Sequence, residues 1–256
     1  MSNTQITTKQ FFQREDVKAK FNELLGTRTN QFMTSLLSIV NNNSYLKNAS
    51  PESIYTSAMM AAALDLPINP NLGFAYIIPY GQQAQFQIGY KGLIQLCLRS
   101  GQFKTISVTP VYEGQLIENN PLTGYKFDFN VKTSDNIVGY CSYFSLINGF
   151  EKSLYMTVDE ITAHGKKYSK TFGNGVWKTD YNAMAQKTCL KLLLSKFAPM
   201  SIELQRAVIA DQAVIKDVET MDVDYVDAGQ DVSIKIEEVT QNATARIDKL
   251  KNKTNE

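Results

Sequence analysis

The spacing of hydrophobic residues predicts helices in the N-terminal quarter of the chain. Residues 10–25 and 28–42 both show the three- and four-residue spacing of amphipathic helices. The second segment places four apolar side chains on one face, namely Phe32, Leu36, Leu37 and Val40. A third helix is expected to run from Ser50, which can cap it and precedes a proline suited to the first turn, to about Asp65.

After residue 70 the pattern changes to alternation. The segments "FAYIIPY" and "AQFQIGY", separated by "GQQ", predict a β-hairpin. In its second strand Ala84, Phe86 and Ile88 alternate with Gln85 and Gln87. Because successive side chains of a strand point to opposite faces, we expect one apolar face and one face of neutral amides.

A helix is predicted directly after this hairpin, from about Tyr90 to Ser100, and Gly101 can end it. Its core-facing residues are expected to be Leu93, Ile94, Cys97 and Leu98. Three polar positions recur at intervals of four residues and form one stripe: Lys91, Gln95 and Arg99.

The rest of the chain predicts strands followed by helices. The strands are "FKTISVTPVYE", "YKFDFN", "IVGYCSYFSLI" and "FEKSLYMT", and an Asn-Gly turn at 148–149 joins the last two. A capping box starts the next helix at Thr157, and further helices are expected over 179–197 and from Ser201 to about Val214. This order indicates an α+β fold: a small, mostly antiparallel sheet with an inserted helix, flanked by N-terminal and C-terminal helices.

Charge is distributed unevenly along the chain. The formal net charge is only +1, but residues 211–256 hold 11 acidic and 6 basic residues, whereas residues 1–210 hold 20 basic and 14 acidic residues. A basic body with an acidic tail favours an anionic ligand for the body.

The cysteines and the apolar runs indicate the cellular compartment in which we expect the protein. Cys97, Cys141 and Cys189 are far apart and odd in number, so they predict no disulfide framework and a reducing environment. The first residues lack the apolar core of a signal peptide, and no apolar run approaches the roughly 20 residues of a membrane span. We therefore expect a cytoplasmic protein without a membrane partner.

No group of residues predicts catalysis or a metal site. His164 is the single histidine, and we expect it to be a solvated or capping side chain rather than a zinc ligand. The segment "GFEKS" lacks the upstream glycine of a P-loop, which argues against a nucleotide-driven motor. The carboxylates that could hold magnesium show no pairing, so a metal-dependent nuclease is kept only as an alternative: Asp65, Asp128, Asp159, Glu160 and Asp180.

Basic residues concentrate in two segments. The first, residues 86–106, carries Lys104 in addition to the lysine and arginine of the polar stripe, and it has no acid. Its Gly89 and Gly92 would let a phosphate backbone approach the first turn of the predicted helix. The second runs from His164 to Phe197 and has one acid, Asp180; its bases are Lys166, Lys167, Lys170, Lys178, Lys187, Lys191 and Lys196.

One pair in the second segment is unusual. Lys187 and Lys191 lie four residues apart on one predicted helix with no acid nearby in the sequence, an arrangement that is unfavourable unless an anion lies between them. A solvated surface explains any single lysine, but the clustering favours a polyanion. Aromatic residues interleave with these bases; most are expected in the core, and one or two could stack on nucleobases.

Five blocks in a fixed order resemble the RecT family of phage recombinases. They are "FMTSLLSIV", "AALDLPINPNLGFAYIIPY", "AQFQIGYKGLIQLCLRSGQFKTI", "GYCSYFSLINGFEK" and "DYNAMAQKTCLKLLLSKF". The likeness extends from about Asn22 to Ala210.

This resemblance implies an ATP-independent recombinase that binds single-stranded DNA and anneals complementary strands. It implies a homo-oligomer, a ring or a helical filament, on the paired intermediate. The expected partners are a phage exonuclease and a host single-strand-binding protein, and no cofactor is required, with Mg²⁺ only as a modulator of DNA binding. A single-stranded DNA-binding protein that does not anneal is the nearest alternative, and an assembly protein that meets acidic protein surfaces is another.

The predicted DNA contacts combine both basic segments with the amide face of the hairpin. They are Gln85, Gln87, Tyr90, Lys91, Gln95, Arg99, Lys104, Lys166, Lys167, Lys170, Lys178, Lys187, Lys191 and Lys196. We divide the chain into an N-terminal helical arm (residues 1–26, a candidate oligomer contact), an annealing core (27–214) and an acidic flexible tail (215–256).

Overall fold

The structure is a computed structural model that describes residues 7–169 and 172–224. The helices are α1 (Thr8–Phe12), α2 (Glu15–Leu25), α3 (Thr29–Asn42), α4 (Ser44–Lys47), α5 (Pro51–Ala63), α6 (Tyr90–Arg99), α7 (Val158–Tyr168), α8 (Val176–Thr179), α9 (Tyr181–Phe197) and α10 (Ile202–Ala210). The strands are β1 (Ala75–Tyr80), β2 (Gln83–Ile88), β3 (Phe103–Tyr112), β4 (Leu116–Asn120), β5 (Gly124–Phe127), β6 (Ile137–Leu146), β7 (Glu151–Thr157), β8 (Val214–Asp217) and β9 (Asp222–Asp224).

The α+β class and the antiparallel pairing are confirmed. The strands form a three-stranded sheet in the order β3-β6-β7 and three separate hairpins, β1-β2, β4-β5 and β8-β9, and every pair is antiparallel. Helix α6 follows the β1-β2 hairpin as predicted. The capping box also forms, because Thr157 accepts from the Glu160 backbone N–H and the Glu160 side chain accepts from the Thr157 N–H.

Two helix predictions need correction. The helix predicted over 10–25 is divided, because Arg14 has extended backbone angles between α1 and α2. The last helix ends at Ala210 and not near Val214. There Gln212 takes a positive φ of 65°, and its N–H donates to the Phe86 carbonyl at 2.9 Å, so the chain turns to pair with β2 instead of continuing the helix.

One large hydrophobic cluster joins the N-terminal helices to the β1-β2 hairpin. Phe12, Phe21, Ile54 and Phe86 all belong to it and are almost fully buried. The described part of the predicted arm therefore packs into the main core, and its role as an oligomer contact stays a prediction. Residues 215–224 of the predicted tail form most of the β8-β9 hairpin, while residues 225–256 lie outside the described residues.

Helices α6 and α9 connect the hairpin region to the three-stranded sheet. Helix α9 contacts α6, β3, β6 and β7. On α6 the buried apolar face contains Leu93, Leu96 and Cys97, whereas Leu98 is 50% exposed, so the prediction that Leu98 faces the core is wrong. The packing against α9, α10 and β3 selects the 93, 96, 97 face, and Leu98 points away from it.

Candidate nucleic-acid interface

The β1-β2 hairpin carries aromatic and amide side chains on one face. Tyr76 lies opposite Gln87 and Ile78 lies opposite Gln85 in the antiparallel register. Residues directly opposite each other share a face, so these four side chains form one surface. The other face packs into the main core, as the alternation predicts, through residues that include Phe86.

The amide face of the hairpin is enclosed, whereas we expected Gln85 and Gln87 to lie on an open DNA-binding surface. Gln85 is 4% and Gln87 is 8% exposed. Both line a cleft of about 380 Å³, bounded by the hairpin, the end of α3 and the turn that leads into α8; we call it the amide cleft, and its lining includes Tyr76, Tyr80, Gln85, Gln87, Asn174 and Trp177. Other elements cover this face of the hairpin, and the spacing within β2 carries no information about them.

The residues of the polar stripe on α6 differ in exposure and in their contacts. Lys91 is exposed, while Tyr90 and Gln95 are half-buried. Arg99, by contrast, donates through its guanidinium to the carbonyls of Leu64 and Asp65, each at 2.7 Å.

These bonds place Arg99 at the end of α5. The last carbonyls of a helix have no partner within the helix, and the guanidinium satisfies that of the C-cap residue Leu64, together with the carbonyl of the next residue, and complements the helix dipole. Arg99 is partly exposed and also lies 3.8 Å from the Asp65 carboxylate, which pairs in turn with Arg28. The described contacts of Arg99 thus hold α6 to α5.

The space beside Gly89 and Gly92 is occupied by backbone atoms of Gly73 and Phe74. The Gly89 N–H donates to the Phe74 carbonyl at 2.9 Å. A Cβ on Gly92 would lie 2.2 Å from the Phe74 oxygen, and one on Gly89 would lie 2.1 Å from the Gly73 oxygen. The expectation that these glycines make room for a phosphate backbone is therefore wrong, because the loop before β1 fills that space.

Six of the predicted lysines are exposed and form no ion pair within residues 7–169 and 172–224. They are Lys91 on α6, Lys104 near the start of β3, Lys166 and Lys167 in the last turn of α7, Lys178 on α8 and Lys196 near the end of α9. Unpaired exposed ammonium groups are available to phosphates. Lys170 lies outside the described residues, so the structure does not bear on it.

Lys187 and Lys191 do have an acidic partner, contrary to the prediction. Lys187 Nζ lies 2.7 Å from Asp211 Oδ1, and Lys191 Nζ lies 2.7 Å from Asp211 Oδ2. Asp211 Oδ1 also accepts from the backbone N–H of Ile88 at 3.2 Å. Asp211 follows α10 and is distant in sequence, and its only sequence signal is a single acid between the apolar runs "AVIA" and "AVI".

Burial and ion pairing shift the pKa values of Lys187 and Asp211. The pKa of Lys187 is lowered to about 8, mainly by burial and also by the charge of Lys191, although the attraction of Asp211 opposes both. Burial alone would raise the pKa of Asp211, but the two ammonium groups and their hydrogen bonds outweigh it and hold that pKa below its ordinary value. One carboxylate faces two ammonium groups, so the triad is positive when all three groups are ionised.

A second cavity, of about 240 Å³, lies beside the triad between α7 and α9. Its lining includes His164, Tyr168, Lys187, Lys191 and Asp211. Burial, followed by the charges of Lys191 and Lys167, lowers the pKa of His164, so the imidazole is neutral near pH 7. His164, which we expected to be a solvated or capping side chain, is half-buried against the Tyr168 ring, with centroids 4.6 Å apart.

The described chain offers neither a metal-ligand cluster nor a membrane-spanning helix. Among the side chains of the described residues, no three His, Cys, Asp or Glu come together as a metal site. Helices long and apolar enough to cross a bilayer are absent from the same residues.

Comparisons with known proteins agree on one family. A family model described as the RecT family matches residues 30–224. The "Uncharacterized protein YqaK" of Bacillus subtilis (strain 168) is 49% identical over 207 residues, which cover 80% of this chain and 72% of that protein. The "Protein RecT" of Escherichia coli (strain K12) is 30% identical over 185 residues, which cover 65% of each chain. The matched span contains the amide cleft, the triad and the exposed lysines, and because it covers most of the sequence, this chain belongs to the RecT family.

Proposed function

We propose that this protein is an ATP-independent annealing recombinase, which binds single-stranded DNA and pairs it with a complementary strand. The observation that carries the proposal is the family match over residues 30–224, since membership of the RecT family supports single-strand annealing recombination.

The exposed lysines supply the physical basis of DNA binding. The six without ion pairs in the described chain would neutralise phosphates, and release of the condensed counterions would make the affinity fall steeply with salt. Contacts to phosphates carry no sequence information, so the base edges of a bound strand stay available to test a complement.

The cations that already have partners within the described residues take a different part in this proposal. Lys187 and Lys191 bind Asp211, and Arg99 binds the end of α5. These groups support the scaffold that carries the exposed lysines, and Lys187 is not proposed as a direct DNA contact, because its side chain is 6% exposed. Lys191 is 29% exposed and can still face an anion from its open side.

The oligomer and the partners are further parts of the proposal. We infer a homo-oligomer, a ring or a helical filament, on the annealed intermediate, and cooperation with a phage exonuclease and a host single-strand-binding protein. Mg²⁺ is proposed as a modulator of DNA binding and not as a required cofactor. Imaging of the protein on annealed strands would reveal subunits arranged around or along the DNA, and isolated monomers on the duplex would contradict this part.

An annealing assay tests the central claim. The protein is mixed with one dye-labelled strand and then with its quencher-labelled complement, without nucleotide. We expect pairing to be much faster than in buffer alone, and a non-complementary strand serves as the control. Binding to one strand without faster pairing would leave only a single-stranded DNA-binding protein, and shortening of end-labelled DNA in Mg²⁺ would favour a nuclease.

A further inference from the structure

The amide cleft contains two hydrogen-bond donors that find no acceptor among the described residues. The side-chain nitrogen of Gln85 and the indole nitrogen of Trp177 are both buried without a partner. The two residues are only 4% and 6% exposed, and both line this cleft. Buried donors in folded proteins almost always have an acceptor, so two unpaired donors in one cleft indicate an acceptor that the described residues do not supply.

A third donor in the cleft is only weakly satisfied. The side-chain nitrogen of Gln87 lies 3.5 Å from the Met184 thioether sulfur, which is a poor acceptor. The ligand that this cleft fits therefore presents several acceptors within a small area.

The rest of the lining indicates a neutral and planar ligand. Tyr76, Tyr80 and Trp177 contribute aromatic rings, and none of the described lining residues is charged. Moving a phosphate into a cleft without a cation would cost its hydration with no ionic compensation. A nucleobase meets both conditions, since it is flat and uncharged and every base carries carbonyl or ring-nitrogen acceptors. The volume of about 380 Å³ lies within the range of about 300–1,000 Å³ found for small-molecule sites.

Exposed lysines flank the cleft where a DNA backbone would run. A Cβ placed on Gly73 would lie 3.4 Å from both Lys91 Cδ and Tyr76 Oη, so the Lys91 stem and a lining tyrosine approach the same point. Lys178 is exposed and directly follows Trp177 in the chain. Phosphates can thus bind outside the cleft while a base enters it.

We propose that the amide cleft receives one unstacked nucleobase of the bound single strand, with Gln85 and Trp177 donating hydrogen bonds to acceptors of that base. This inference deepens the proposed function and rests on it for the identity of the ligand. A base held in the cleft is withdrawn from its neighbours in the strand and anchors the strand in register. The site tolerates every base, because the donors need only an acceptor.

Trp177 makes the test direct, because it is the only tryptophan of the chain. The full-length protein is titrated with an oligo-dT strand and with a strand of equal length whose sugars carry no bases, and binding is followed by anisotropy of an end label. We expect both strands to bind through phosphates, while only the oligo-dT strand quenches and shifts the tryptophan emission. Equal changes of emission with the two strands would overturn the proposal.

A matched pair of variants separates this site from general effects. Gln85→Leu should weaken oligo-dT binding about tenfold and leave the abasic strand unaffected. The same variant should melt at a slightly higher temperature without DNA, because it removes an unpaired buried donor. Gln83→Leu, on the same strand but outside the cleft lining, is the control and should preserve the difference between the two strands.

Two outcomes with these variants count against the cleft. One is a Gln85→Leu protein with wild-type affinity for oligo-dT, and the other is an equal loss of affinity for both strands. The annealing assay distinguishes the two proposals. Faster annealing without a change in tryptophan emission would contradict the base site alone. A change in tryptophan emission that requires bases, without faster annealing, would contradict the annealing function alone.

Discussion

Lys187 Nζ lies 2.7 Å from Asp211 Oδ1, and the two side chains are 6% and 0% exposed. This ion pair connects the middle of α9 to the residue that follows α10, and through the Ile88 N–H it also reaches the end of β2. Lys187, which resembled part of a DNA surface in the sequence, is instead buried in the joint between the hairpin and the C-terminal helices.

Asp211 should be among the residues most important for stability. Asp211→Asn removes the carboxylate that pairs with both Lys187 and Lys191, so it should lower the free energy of unfolding by about 3–5 kcal/mol, the range for broken buried pairs. Urea denaturation measures the loss. Asp222→Asn, at an exposed acid on β9, is the control and should change stability by no more than about 0.5 kcal/mol. If both variants unfolded like the wild type, the triad would not be a stabilising joint.

Lys187 should make the stability depend on alkaline pH. Its pKa is about 8 in the folded protein and 10.5 ordinarily, so between these values the unfolded state binds more protons than the folded state. The free energy of unfolding should therefore rise with pH through this window, by about 3 kcal/mol in total, and this contribution should be flat below pH 8. Tyrosines and cysteines also titrate here, so the measured quantity is the difference between the wild type and Lys187→Met. Parallel stability curves for the two proteins would show that Lys187 keeps its ordinary pKa.

Lys91 should contribute to DNA affinity without contributing to stability. It is exposed and forms no ion pair with any described residue, so Lys91→Ala should weaken single-stranded DNA binding and reduce the slope of log affinity against log salt by about 0.7. Anisotropy titrations at several salt concentrations give that slope, and thermal melting checks that the fold is unchanged. A slope equal to that of the wild type would remove Lys91 from the interface.

Arg99 should contribute to stability and not to DNA affinity. Arg99→Ala removes two hydrogen bonds to the carbonyls at the end of α5, so it should lower the free energy of unfolding by about 1–3 kcal/mol. Arg99→Lys should recover only part of this loss, since an ammonium cannot reproduce the planar pair of donors. Chemical denaturation of the two variants measures the effect. If Arg99→Ala were as stable as the wild type but had a smaller slope of log DNA affinity against log salt, Arg99 would be a DNA contact.

The local elements were predictable from the sequence because their causes are local. The β1-β2 hairpin follows from alternation and a short turn, and the start of α7 follows from a capping box that spans three residues. The family was predictable because all five blocks that carry the resemblance lie within residues 30–224, which the family model matches. The predictions that failed, such as a last helix to Val214 and a buried Leu98, depended on which distant segment packs against the element.

The sequence by itself determined the fold class, most of the helices and strands and the family of this protein, because period, caps and turns act over a few residues. The tertiary structure decided which polar residues are accessible. It enclosed Gln85 and Gln87 in a cleft, placed Asp211 between Lys187 and Lys191, and filled the space above Gly92 with the loop at Phe74. Burial and ion pairing are properties of segments far apart in the chain, and only their packing brings a carboxylate or a covering side chain to a given residue.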